Sequence, residues 1–187
     1  MTLKHVHEPR TNVTLRPAWR LKDAAIERDA EMFWRRERLL FDPANVDSRL
    51  DEVCMAGFAG DTLIALSTAH IRYVAFLGVK LAMLRVAISA DKRRNRLATI
   101  IQAESRELLE QWSANNPAEE VMGMGTVTQS RELAGRGPAR AFLRSSHFGF
   151  ICWTANGEPM RVAWFEHARI PEQPPESVRP TPNRFGS

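Results

Sequence analysis

Apolar positions along this chain recur first at helical spacing, then in alternation, and then as a nearly continuous run. Val13 and Leu15 share one face of a short strand over Asn12–Arg16. Trp19, Ile26, Ala30, Phe33 and Leu40 form a helical stripe among Arg and Glu residues, and Pro17 suits the first position of that helix. The FDPAN segment at 41–45 ends the pattern, and Val46–Leu50 is expected to add a short second helix. Two strands follow, Glu52–Ala59 and Thr62–Val74, joined by Gly60-Asp61, a two-residue loop with glycine first that signals a hairpin. After the Phe76-Leu77-Gly78 connection, Leu81–Ser89 is apolar on both faces, as a central strand should be. Leu97, Ile101, Leu108 and Trp112 then mark one face of an amphipathic helix.

The second half repeats this alternation with more glycine. Ala114–Ala118 is a loop and Glu120–Thr128 a strand, in which Gly123 and Gly125 mark a bulge or the close approach of a ligand or another backbone. Gln129–Pro138 reads as a loop, Ala139–Ser145 as a short helix and Phe148–Ala155 as a strand. Asn156-Gly157 turns that strand back into Met160–Arg169, the strongest turn signal in the chain. Before all this, residues 1–11 are polar, and His5 with His7 reads as part of a flexible tail and not as a metal site. At the other end, 171–187 carries five prolines and cannot bury a core, so a disordered tail is expected around one domain at 12–170.

Charge changes the picture at one place. Lys92, Arg93, Arg94 and Arg96 lie between the continuous apolar strand and the amphipathic helix. The helix's first unpaired N–H groups and the positive end of its dipole point where those cations point, so the turn is suited to a phosphate or pyrophosphate. The formal net charge of +4 agrees with an anionic partner. The cations form one compact cluster with little aromatic interleaving, which fits a single phosphate group better than a tracked nucleic-acid backbone. The 187 residues, 44% hydrophobic, suffice for one sizeable core. The longest apolar stretches contain Arg72, Lys80 or Arg85, and the N-terminus lacks a signal-like apolar region, so a cytoplasmic protein without a membrane span is expected. The two cysteines, Cys54 and Cys152, are far apart; they support neither a disulfide framework nor a thiolate metal site and read as buried small hydrophobes.

The strand, basic turn and helix resemble motif A of the Gcn5-related N-acetyltransferase superfamily, in which Gln/Arg-x-x-Gly-x-Gly/Ala opens the helix. Here the register is Arg93-x-x-Arg96-x-Ala98, with Arg96 in place of the first glycine. The segment around Gly149-Phe150 and the final hairpin are similar to motif B and the closing strands, so the resemblance spans roughly Asn12 to Ile170 by order of elements. It implies an α/β (α+β) fold, a mixed twisted sheet of about six or seven strands with helices on both faces. It implies acetyl-CoA as co-substrate and a primary amine of a small molecule or protein as acceptor. The cofactor would be held by Val86, Ala87 and Ile88 and by Arg93, Arg94, Asn95, Arg96, Leu97, Ala98 and Thr99, without a metal.

Acetyl transfer to an amine needs a neutral nucleophile, a donor to the developing oxyanion and a proton for the leaving thiolate. The resemblance assigns the oxyanion donor to a backbone N–H near Val86–Ile88. It assigns the proton to a tyrosine four residues before the Gly-Phe pair, which here is Ser145; the chain's one tyrosine, Tyr73, is on a different strand, so Ser145, Ser146 or a water has to substitute, or the acid is dispensable. His70, His147 and Glu166 are candidate bases, each with an equally ordinary structural reading. An acyl-CoA-dependent N-acyltransferase and a catalytically idle binding or structural module of the same fold both remain open. The acceptor and the oligomeric state leave no signature in the sequence.

Overall fold

The computed structural model describes residues 4–8, 11–39, 46–93, 96–127 and 140–169. Its strands are β1 Lys4–Glu8, β2 Thr11–Pro17, β3 Val53–Ala59, β4 Thr62–Val74, β5 Val79–Ile88, β6 Val121–Val127, β7 Phe142–Leu143, β8 Phe148–Trp153 and β9 Pro159–Trp164. Its helices are α1 Ala24–Arg36, α2 Val46–Leu50 and α3 Leu97–Asn115. The strands make one sheet in the order β1-β2-β3-β4-β5-β6-β9-β8-β7. Among these neighbours only β5 and β6 are parallel, because α3 carries the chain between them as a crossover. The expected mixed sheet is thus present, extended to nine strands at its two edges. At one edge Lys4–Glu8 pairs with β2 from Lys4↔Leu15 to Glu8↔Thr11, so a strand occupies part of the stretch expected as a tail. At the other edge β7 is only two residues long.

Alternation along β4 and β5 divides the core between two faces. Ala65 and Ile88 pack with Leu97 and Ile101 of α3, whereas their chain neighbours Leu66 and Ala87 pack with Phe33, Trp34 and Ile26 of α1. Helices therefore cover both faces, with β5 at the centre of the sheet. The buried stripe of α3 is Leu97, Ile101, Ser105, Leu109 and Ser113, turned slightly from the expected face, so Leu108 and Trp112 are half-buried at its side. Two serines make that rotation possible. Ser105 shares a hydrogen bond with Ser67 of β4 at 2.8 Å and donates to the Ile101 carbonyl at 2.6 Å. Ser113 donates to the Val121 carbonyl at 2.7 Å, so each hydroxyl is buried with a partner. Cys54 is fully buried beside this pair, and burial pushes its thiol up to about 12 against hydrogen bonds from Ser105 and Ser67. Cys152 is only partly buried.

Three elements differ from expectation. Pro17 ends β2 instead of opening α1, which starts at Ala24 after Asp23 accepts hydrogen bonds from the Ala25 and Ile26 amides. The intervening chain is held to β3, where Ala18 and Trp19 both donate to the Cys54 carbonyl. Trp19 consequently sits on the α3 face, edge-on to Trp112 with centroids 5.5 Å apart, while Ala18 joins the α1 core. Secondly, the helix expected over Ala139–Ser145 is not found in its described part, where β7 and a turn at 144–147 lead straight into β8. His147 takes a left-handed conformation there, φ 58°, which a helix could not continue. Thirdly, the final hairpin closes through residues 154–158 and not through Asn156-Gly157 alone, with Thr154 and Glu158 exchanging hydrogen bonds. Leu40, the last residue of the expected first stripe, and 171–187 lie outside the described residues.

Candidate functional site

Parallel pairing between β5 and β6 runs only from Lys80↔Val121 to Met83↔Gly125. Beyond that row each strand follows a different neighbour. β5 continues to Ile88 against β4, with Leu84↔Ala69 through Ile88↔Ala65, while β6 continues to Val127 against β9. The sheet therefore splays at the carboxyl ends of its two central parallel strands. Among the described residues the backbone groups of Leu84–Ile88 aimed toward β6 have no strand partner on that side, and such groups seek a hydrogen-bonding guest.

Glycines set the closed end of the splay. A Cβ on Gly123 would lie 2.8 Å from the Ala163 carbonyl oxygen, so β9 can approach β6 only because this residue has none. A Cβ on Gly125 would meet the Met83 sulfur at 2.6 Å. Of the two sequence readings, bulge or close approach, both apply: the close partners are β9 and Met83, and the register of β5 on β6 shifts between Lys80 and Leu81.

The open end of the splay faces the basic turn. Ser89 leaves β5, a single 3-10 turn spans Ala90–Lys92, and Arg96 precedes α3 with φ 53° and ψ 3°. Arg96 stands where the resemblance expects glycine, and it takes the left-handed conformation that glycine adopts freely. No side chain caps α3. The Arg96 carbonyl accepts from Thr99 and Ile100, and among the described residues the Leu97 and Ala98 amides find no acceptor. Arg93 is exposed and its Nε reaches the Ile88 carbonyl at 3.4 Å, so its guanidinium stays beside the end of β5. Lys92 pairs with Asp91 at 3.0 Å. Arg94 and Asn95 lie outside the described residues.

From the opposite face α1 holds this turn in place. Arg36 donates to the Leu63 carbonyl at 2.7 Å and to Ser89 Oγ at 3.2 Å, and Glu37 accepts the Ala90 amide at 3.1 Å. Burial alone would raise the Glu37 pKa, but the Ala90 amide, Arg36 and Ser89 together hold it below its ordinary 4.5.

The candidate catalytic residues are not gathered together. His70 pairs with Met83, on the last row before the strands part, and faces away from α3. Its side chain is 32% exposed, and Nδ1 lies 3.9 Å from Glu52 Oε1, beyond hydrogen-bond reach and otherwise unpartnered. Burial holds the imidazole below its ordinary 6.5, opposed by Glu52 and aided by Arg85 and Arg72, so it is neutral at pH 7. Ser145 and His147 are exposed in the turn before β8. The register Gly149↔Val162↔Gly125 carries that turn toward the start of β6, away from the open end. Glu166 lies beyond Trp164, which pairs with Gly123, so it too is at the closed end; its amide donates to Glu110 of α3 at 2.6 Å.

Sequence reasoning missed the neighbours of His70. Arg85 projects from the same face, opposite Thr68 and so one diagonal step from His70. Arg49 of α2 lies over the Trp34 ring at 5.0 Å, donates to the Leu39 carbonyl at 3.2 Å and leaves its buried Nε unpartnered. The one available signal was Arg85 itself, a lone charge inside the otherwise apolar strand LAMLRVAIS. Among the described residues no group of His, Cys, Asp and Glu could hold a metal ion, and no helix is long and apolar enough to cross a membrane.

No family model matches the chain, and a search of curated proteins finds no match. Solved structures do match. A GNAT-family acetyltransferase from Streptococcus pneumoniae is similar over 82% of this chain and 99% of its own, at 12% identity and a TM-score of 0.52. A mutant AtaT toxin bound to the C-terminus of the antitoxin AtaR and acetyl-CoA is similar over 81% of this chain and 92% of its own, at 10% identity and a TM-score of 0.50. The fold is that of the Gcn5-related N-acetyltransferases.

Proposed function

We propose that the chain is an acyl-CoA-dependent N-acyltransferase that moves an acetyl group from acetyl-CoA to a primary amine of a small molecule or protein. The observation that carries this reading is the splay of β5 from β6 after Met83↔Gly125, opening toward the uncapped start of α3. Acetyl-CoA is also the ligand named for the structurally similar toxin.

The residues present fit that ligand. The amides of Leu97 and Ala98, free among the described residues, with Thr99 and the left-handed Arg96 beside them, form an anion cradle for a pyrophosphate. Arg93 adds a cation beside it, and Arg94 and Asn95, the next two residues in the sequence, bring a further cation and a polar side chain to the same turn. Acetyl-CoA, when bound, supplies the thioester carbonyl and the thiolate leaving group. A backbone N–H among Val86, Ala87 and Ile88, past the last paired row, is the oxyanion donor. His70, neutral and beside the splay, accepts the ammonium proton, directly or through one water. Ser145, His147 and Glu166 are distant by register, so water is the proton source for the thiolate.

A second reading, an idle module that binds without turnover, is favoured by one observation: the position expected to hold a tyrosine is Ser145, exposed in a turn. The deciding assay is acetyl-CoA-dependent thiol release with a broad panel of amines. The expected result is turnover that Ser145→Ala leaves unchanged. Acetyl-CoA binding without turnover, both in wild type and in Ser145→Tyr, would establish the idle module instead.

A further inference from the structure

The face of the sheet opposite α3 carries a charge imbalance beside the splay. Arg85 is exposed on β5, two residues past the last row shared with β6. Among the described residues it makes no hydrogen bond or ion pair, although an acid in reach would be strongly favoured. Arg72 projects from the same face of β4, two residues after His70. Arg49 approaches from α2 with its Nε buried and unpartnered, and the His70 Nδ1 is buried and unpartnered too. Among the described residues Glu52 is the carboxylate that acts on His70 and Arg49. Burial lowers the pKa of Arg49, and Arg85 lowers it further against Glu52, so like charges already face each other there. Three guanidinium groups around one acid, next to a neutral imidazole, leave two positive charges unbalanced among the described residues.

We infer that the acceptor is a primary amine carrying a nearby carboxylate, which Arg85 receives with Arg49 beside it while the amine rests at His70. This rests on the acyltransferase reading and names the substrate class of the same site. A carboxylate there can take two parallel N–H bonds from one guanidinium, fixing both position and orientation. The amine then lies on the row where β5 leaves β6, within reach of a thioester in the splay. The ammonium gives one proton to His70, and its nitrogen bonds to the thioester carbonyl carbon. The C–S bond breaks, the nitrogen's second proton passes through water to the departing thiolate, and the proton held by His70 is released to solvent. The sum is amide, CoA thiol and one released proton. The groups facing His70 during that transfer are Glu52, Arg85 and Arg72.

The test is calorimetric titration of amines into the full chain, with CoA present and with CoA absent. The panel is the common amino acids, β-alanine and γ-aminobutyrate, each against its carboxamide, with peptides beginning in Asp or Glu as a separate arm. The expected result is about tenfold tighter binding of at least one carboxylate form than of its carboxamide. The ratio should fall close to one in Arg85→Gln. Arg49→Lys should lower it less, since it keeps a cation over Trp34. The amino-acid and peptide arms distinguish a small acceptor from a protein N-terminus. CoA binding with no carboxylate preference anywhere in the panel, or a preference that survives Arg85→Gln, would overturn this inference alone. A folded protein that binds no CoA would remove the acyltransferase reading and this inference together.

Discussion

α1 and α3 begin in opposite ways. α1 is sealed by its own sequence, with the Asp23 carboxylate accepting the Ala25 and Ile26 amides at 3.0 and 3.2 Å. α3 is preceded by a cation in a left-handed conformation, has no side-chain cap, and leaves the Leu97 and Ala98 amides free among the described residues. A sealed helix end serves stability, whereas an open one spends stability to present donors and a positive dipole to something outside the chain. The turn before α3 is nonetheless anchored from the other face by Arg36 and Glu37. An open end on a firmly held turn is what a preorganised anion site requires.

The largest test of this contrast is to close α3. Arg96→Asp puts a residue that tolerates the left-handed region at the same place but reverses its charge. At a hundredfold excess over its dissociation constant, acetyl-CoA should add about 2.7 kcal/mol to wild type. Each kcal/mol raises the melting temperature by roughly 2–4 °C at this size. Arg96→Asp should lose most of that shift, and replacing both Arg93 and Arg94 with alanine should reduce it. Asp23→Ala should leave the shift intact. Next in size, Asp23→Ala should cost about 1 kcal/mol of stability in denaturant unfolding, because two amides lose their acceptor.

Smaller effects sharpen the comparison. Arg96→Gly should gain about 0.5–1 kcal/mol, the relief of a left-handed side chain less the entropy glycine loses on folding. Were Arg96 unstrained, the change would be destabilising. Smallest is the acid dependence of the anchor. Glu37 has a folded pKa below 4.5, so its contribution is present above that value and is lost as pH falls through the folded value. Thermal melts of Glu37→Gln should lack that part of the acid loss. Identical acid limbs in the two proteins would show that the carboxylate does not hold the turn.

Legibility in the sequence followed how each residue discharges its constraint. The Gly60-Asp61 hairpin was readable because Gly60 must supply φ 59° between two alternating runs. β5 was readable as central because it is apolar on both faces, and α3 because its start coincides with a cation cluster. The start of α1 was misread because Pro17 and Trp19 mimic a helical opening. Their backbone instead belongs to the edge of β3, a tertiary preference that no local pattern carries. Ser105 and Ser113 hid the true stripe of α3, since a buried serine looks polar until its partner across the sheet is known. The segment 140–147 lost its expected helix to pairing of β7 with β8, a contact with no local signature. At the candidate site, the basic turn stood out because its charges are adjacent in sequence. The Arg49, Glu52, His70 and Arg85 group did not, because α2, the turn after it, β4 and β5 assemble it.

The most direct test of the central claim is a calorimetric titration of acetyl-CoA into the folded wild-type chain at low salt, where guanidinium–phosphate contacts are least screened. The account predicts one saturable site per chain, weakened by Arg96→Asp and unaffected by Asp23→Ala. No heat of binding at millimolar acetyl-CoA, or equal binding to Arg96→Asp, would contradict it.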